Sequence, residues 1–535
     1  MKKYNVESEA KKAIDDELAI QEPVDFERAI ALTGYGKFNY LLMLVALPSA
    51  MVSVFDTTTM AYILPAAHCD LELTNFDKGT LNAITYAGMI SSAFMWGFLS
   101  DTMGRQKLLV VGFLLDGLCS FASSMAQTLW LMLLLRYMVG FLISGPYAVL
   151  MSYLAEFHGA QYRSRVIMST GISVSVANIL LPVIAWMLLP QPWSWDLFGG
   201  YIKYSSWNMF VALCAIPSLA SGLLLLLFDE SPKFLMSRGR CDDAMKVFKR
   251  IYSMNTGKHP DTFPVKILVN ELTANPELRS SARNTNKGIC SGLIAGWDQI
   301  KPLFLFPQLP KAVLVFSIQV GCLFGMNTIR LWVPQLFATM EAYLNKVGRD
   351  DTGNVSLCQM LSNELQNTTF NYTEVANTTE CTVFLTEDRI YLNSIIVGAT
   401  SALCYSSAGY LVNVLGKRYL MILAYFIAGI CGISLYWSRS PDFVLALIAL
   451  YLGFCGISST AILGVVVDIF PTTLRTMAVS LTMMFGRMGS LAGNLIFPIL
   501  LDLSCEAPFF LVSSVILCCS AASFLLPVTK GKALE

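Results

Sequence analysis

An all-α, polytopic membrane fold is predicted, with twelve transmembrane helices in two pseudo-symmetric six-helix bundles. Three observations carry it. Apolar residues make up 55% of the chain and charged residues only 14%, against roughly 25% charged in a typical soluble domain. Apolar runs long enough to cross a bilayer recur along the chain. Segments of the first half reappear in the second at a fixed distance.

A spanning helix needs about 20 mostly apolar residues. Twelve segments qualify: 38–64, 79–100, 107–127, 129–153, 165–189, 206–229, 311–338, 389–412, 418–438, 441–465, 474–501 and 507–528. The expected division is a tail 1–37, a bundle 38–229, a linker 230–310, a second bundle 311–528 carrying a loop 339–388, and a tail 529–535. Residues 1–37 are polar and acidic (Glu7, Glu9, Asp15, Asp16, Glu17), so the first apolar helix is expected to act as its own insertion signal.

Orientation follows from the basic loops. Arg105 and Lys107, Arg163 and Arg165, the linker, Lys417 and Arg418, and Arg475 all fall on one side. That side is predicted to be cytoplasmic, with both termini. Four N-x-S/T sequons, at Asn354, Asn367, Asn371 and Asn377, share one loop on the opposite side, where glycosylation takes place. Cys358 and Cys381 bracket three of them. An oxidising lumen favours a disulfide between these two; the alternative is two free thiols.

The repeat is specific. Gly97-Phe-Leu-Ser-Asp101-Thr-Met-Gly104-Arg105 is matched by Gly409-Tyr-Leu-Val-Asn413-Val-Leu-Gly416-Lys417, 312 positions later, and Glu156 and Arg163 correspond to Asp468 and Arg475 at the same distance. Phe55 to Pro65 aligns with Phe324 to Pro334 at 269 positions, which places a 43-residue insertion between spans seven and eight. One offset recurring in matching loops marks duplicated halves.

The pattern Gly97-x-x-x-Asp101-x-x-Gly104-Arg105 resembles the loop signature of the major facilitator superfamily. Arg136-x-x-x-Gly140 with Glu156 and Arg163, and Glu230-Ser231-Pro232-Lys233, resemble its sugar-porter branch. Asp25-Phe-Glu-Arg-Ala-Ile with Gly34-Tyr-Gly-Lys-Phe38, Arg330-Leu-Trp332-Val-Pro334 and Gly486-Arg487-Met-Gly489 are similar to the synaptic vesicle glycoprotein 2-like transporters. The resemblance implies a transporter that alternates between inward-open and outward-open states. It also implies a conformational latch at Gly97, Asp101, Gly104, Arg105, Glu156, Arg163, Gly409, Asn413, Gly416, Lys417, Asp468 and Arg475. The chain departs from the pattern at Asn413, where the second latch usually has an acid.

Charges inside a bilayer are expensive and mark function or internal pairing. Asp56, followed by Thr57, Thr58 and Thr59, is a candidate for the coupling proton or a cationic group; its plain reading is an internal ion pair. Arg330 suits an anionic substrate or neutralises Asp56. Arg487 falls near the midplane. Asp116 is read as a structural pair, and Arg136 as gating or packing. Thr58, Asn327, Trp332 and Asn494 complete the candidate substrate and coupling set, with Tyr62 and Trp186 as further aromatics.

No metal-ligand cluster, Walker A sequence or nucleophile motif occurs, so neither an enzyme, a cofactor nor a metal is expected. A formal net charge of zero gives no reason to expect nucleic acid. The expected partners are a small-molecule substrate, the lipid bilayer and protons, and the expected form is a monomer in a vesicle or plasma membrane. Two functional readings stay open: a secondary transporter of a small organic solute, and a transport-inactive receptor or trafficking protein on the same fold.

Overall fold

The computed structural model describes residues 23–269, 301–347, 356–361 and 387–527. The four sequons and Cys381 lie outside these residues.

Among the described residues, twelve spans form the two bundles. In the first half, spans one to five are Lys37–Ala66, Asn75–Met103, Arg105–Ser123, Leu129–Glu156 and Ala160–Leu188. Span six is two helices, Ser206–Cys214 and Ile216–Leu225, broken at Ala215. The break has a local cause: Pro217 has no N–H to give a preceding turn. In the second half, spans seven to twelve are Leu309–Val347, Asp388–Leu415, Lys417–Ser434, Pro441–Ile469, Thr472–Leu503 and Glu506–Ser523. Among the described residues eleven helices are long and apolar enough to cross a membrane. The remaining one, Asn75–Met103, has 29 residues and is wedged between spans four and eleven, which spares it the need to be uniformly apolar. Span seven runs for 39 residues, about 58 Å at 1.5 Å per residue, well beyond the ~30 Å hydrocarbon core.

Two pieces lie outside the bilayer pattern. A hairpin of Ser194–Leu197 (β1) and Ile202–Ser205 (β2) joins spans five and six; strands this short leave no mark on an apolar-run search. At the Lys/Arg-rich end, tail and linker fold together. Helix Phe26–Leu32 is N-capped by Asp25, whose Oδ1 accepts from Arg28 N at 3.2 Å. Helix Cys241–Thr256 has the apolar spacing Ala244, Val247, Phe248, Ile251, and this face is buried by protein, with Phe248 beside Phe26 and stacked on Phe263. Asn255 closes the seam: its Nδ2 donates to Gly34 O at 3.1 Å and Asn39 Oδ1 at 2.9 Å, and its Oδ1 accepts from Phe38 N at 3.0 Å.

The disulfide expectation needs correction. Cys358 is bonded to Cys505, not to Cys381. The turn between spans eleven and twelve brings Cys505 against the segment that follows span seven, a proximity that a sequence separation of 147 conceals. Cys69 is also disulfide-bonded. Cys505→Ser is expected to lower the melting temperature of the purified protein, since a cross-link closing a long loop contributes about 2–4 kcal/mol. An unchanged melting curve under non-reducing conditions counts against that contribution.

Candidate substrate and coupling site

The latch loops hold each half together at the Lys/Arg-rich end. Gly104, between spans two and three, has φ +97°, and a Cβ there would meet the Glu230 carboxylate. Glu230 Oε1 accepts from the N–H groups of Arg105 at 2.8 Å and Gln106 at 3.0 Å, capping the start of span three. Arg105 Nε pairs with Glu156 Oε2 at 3.4 Å, and Ser231 Oγ donates to the same oxygen. The second half repeats the central pair: Lys417 Nζ reaches Asp468 Oδ2 at 2.7 Å, and each residue lies 312 positions after its counterpart. Arg163 is not Glu156's partner. It donates to Ala155 O and to both carboxylate oxygens of Glu27 in the tail. Arg475 Nε is buried with no partner. Gly97 and Gly409 lie within spans two and eight and Gly416 repeats the positive φ of Gly104; the side chains of Asp101 and Asn413 are outside the described set.

The halves meet at the opposite, sequon-bearing end. Asn75 Nδ2 donates to Asp502 Oδ1 at 2.6 Å, Asn82 Nδ2 to Leu331 O at 3.4 Å, and Trp186 Nε1 to Asp388 Oδ1 at 2.7 Å. Spans two and eleven touch backbone to backbone: a Cβ on Gly79 would lie 2.5 Å from Asn494 O. Deeper in, Arg330 Nη2 lies 3.4 Å from Tyr86 Oη, and Arg487 Nη1 donates to Ser144 Oγ at 2.9 Å. Among the described residues no side-chain hydrogen bond joins the halves nearer the Lys/Arg-rich end.

Below that seal is a cavity of about 630 Å³, counting the part open to solvent. Spans one, five, seven, eight and ten line it, with Thr58, Tyr62, Asn178, Arg330, Ser394 and Tyr405 as the main polar groups.

A second cluster sits inside the first half. Asp56, Asp116 and Arg136 are at most 2% exposed. The Asp56 and Asp116 carboxyls are within hydrogen-bonding reach of each other, and Arg136 is an electrostatic neighbour of both. Asp116 Oδ2 also accepts from Ser218 Oγ at 2.7 Å. The cluster therefore sets two acids against one base.

The expected residues therefore separate. Thr58 and Arg330 line the cavity, as does Tyr62. Asp56 points away from it, and Arg330 is not its partner. Asn327 Nδ2 donates to Ser490 Oγ at 2.7 Å and Asn494 Nδ2 to Ser490 O at 2.9 Å, so both serve packing of spans seven and eleven. Trp332 is in the core against Phe497. Trp332 and Asn494 are thus corrected as cavity groups, and Asn327 is likewise occupied. Sequence reasoning missed Asn178, Ser394, Ser401 and Tyr405. Their signal was a stripe on span eight, 394, 397, 398, 401 and 405, at helical spacing.

Comparison with known proteins agrees with this architecture. The Major Facilitator Superfamily profile matches residues 46–349 and 352–534. Human synaptic vesicle glycoprotein 2C is 24% identical over 620 residues, covering 99% of this chain and 83% of that protein. Human synaptic vesicle glycoprotein 2A is 29% identical over 249 residues, covering 46% and 33%. The inward open conformation of the xylose transporter XylE from E. coli superposes with a TM-score of 0.62 at 16% identity, covering 92% of this chain and 98% of that one. The crystal structure of a D-xylose-proton symporter gives 0.61 at 15% identity, over 93% and 100%. The shared fold is that of a multi-pass membrane transporter, not an enzyme. With duplicated halves, equivalent Arg105–Glu156 and Lys417–Asp468 ion pairs and a family match over nearly its whole length, the chain belongs to the Major Facilitator Superfamily.

Proposed function

We propose that the chain is a proton-coupled secondary transporter of a small organic solute, working by alternating access as a monomer in a vesicle or plasma membrane. The observation that carries this reading is a cavity between two halves that, among the described residues, are joined by side-chain hydrogen bonds toward one end only. With the sequon end facing the lumen or cell exterior and both termini in the cytoplasm, the conformation is inward-facing. Breaking the Asn75–Asp502 and Trp186–Asp388 contacts opens the other side. The Asp56–Asp116–Arg136 cluster supplies the proton seat, because it holds one acid more than its base can balance. The names of the similar proteins, a synaptic vesicle glycoprotein and a xylose–proton symporter, support a vesicle setting and proton coupling.

Purified protein in proteoliposomes is expected to accumulate solute above the external concentration only under an imposed proton gradient, and to lose the accumulation when a protonophore is added. Absence of gradient-dependent flux across a broad solute panel would favour the receptor reading instead.

A further inference from the structure

Two groups of charges deep in the spans differ in balance. The cluster inside the first half holds two acids and one base. Inward of the Asn75–Asp502 and Trp186–Asp388 contacts, the interface between the halves carries two bases, Arg330 and Arg487, and among the described residues neither forms an ion pair with an acid. Arg330 lines the cavity. Its Nε is buried without a hydrogen-bond partner, and its one hydrogen bond is the long contact from Nη2 to Tyr86. Its other electrostatic neighbours are the hydroxyls of Tyr62 and Tyr405. Tyr86 and Tyr147 stand in the same relation to Arg487. These hydroxyls are neutral. They orient a guanidinium and do not neutralise it.

Guanidinium stays charged in proteins. Arg330 is half-buried and faces a cavity that opens to solvent, and none of the cavity's lining residues is an acid, so a solute that brings a carboxylate gains a charge partner there. We propose that the cavity takes a small organic acid, with its carboxylate on Arg330 and its apolar body against Leu181, Met326, Val333 and Leu452. The planar fork of the guanidinium matches the two carboxylate oxygens, and Thr58 and Ser394 are placed to take further polar groups. A cationic solute would meet Arg330 and, among the lining residues, no acid. A neutral polyol would leave Arg330 unpaired. This inference rests on the transporter reading for its biological sense and on the cavity alone for its chemistry.

The test uses the purified full chain and matched probes: benzoate with benzamide, lactate with lactamide, succinate with succinamide, and choline and D-xylose as cationic and neutral comparators. At least one acid is expected to raise the melting temperature while its amide does not. Arg330→Gln is expected to weaken that acid's binding by about 30-fold or more, with Arg330→Lys retaining part of it. Ser401→Asp places a fixed carboxylate in the same cavity and is expected to abolish acid binding while the unliganded protein melts higher, which keeps the idea testable if Arg330→Gln fails to fold. Stabilisation by choline or xylose and by no acid overturns the proposal. So does silence of every acid, or undiminished acid binding in folded Arg330→Gln. Acid binding without flux in proteoliposomes would sink the transport reading and leave this one standing. Gradient-driven flux of a neutral or cationic solute alone would do the reverse.

Discussion

Asp56→Asn is expected to abolish proton-driven accumulation while sparing exchange of solute across the membrane. Asparagine has the shape of the carboxylic acid it replaces and still reaches Asp116, so the packing of spans one, three and four is kept. Its amide has no proton to release. The cluster is then fixed as one carboxylate beside one guanidinium, in permanent balance, and the cycle no longer moves a proton. For one coupled proton, a gradient of one pH unit supports about tenfold accumulation, since one unit of proton potential corresponds to roughly 1.4 kcal/mol; the variant is expected to stop at equal concentrations. Counterflow between preloaded solute and external label should persist. Asp116→Asn should behave alike, because either carboxyl can be the partner that keeps its charge. Arg136→Gln differs in kind: it leaves two acids with no base, and loss of one partner from a buried charge set costs about 3–5 kcal/mol. Retained accumulation in Asp56→Asn would remove the cluster from the coupling mechanism.

Gly79→Trp is expected to hold the sequon end apart. Even a methyl group at Gly79 would sit 2.5 Å from Asn494 O and 2.6 Å from the Pro498 ring, and an indole has no relaxed place there while spans two and eleven are in contact. Overpacking of this kind costs about 1–3 kcal/mol or more, which as a conformational bias is about five- to 150-fold. The state closed at that end loses population, and the opposite state gains it. In a Thr58→Cys background, labelling by a membrane-impermeant thiol reagent from the sequon side should rise, while net transport falls because closure there is part of every cycle. Gly79→Ala should show the same trend more weakly. Unchanged labelling in a folded Gly79→Trp protein would mean that this seam is not the gate.

The twelve spans, the duplicated halves and the latch pairs were legible because each rests on local or strictly repeated signals: apolar length, loop charge, one constant offset. Groups assembled from several spans were not. Asp56 stood out as a buried acid, but its neighbours arrive from spans three and four, and no spacing rule joins them. Trp332 was a reasonable cavity aromatic until helix phase is applied. Met326, Arg330 and Val333 share one face, and Trp332 lies two residues from Arg330, about 200° around a helix turning ~100° per residue. Asn327 and Asn494 were polar enough to bind a solute, yet Ser490 already engages both. The Cys358–Cys505 bond was hidden for the same reason as the cavity: it depends on which helix ends become neighbours.

The ion pair Arg105–Glu156 and its echo Lys417–Asp468 carry a record of ancestry. An ion pair at equivalent places in both halves is the mark that doubling of one six-helix unit leaves in a structure. Glu230 and Ser231 join the first of these pairs, and they sit where the first bundle ends and the connecting segment begins. The same cluster thus closes the first bundle and fixes the start of the segment that leads to the second.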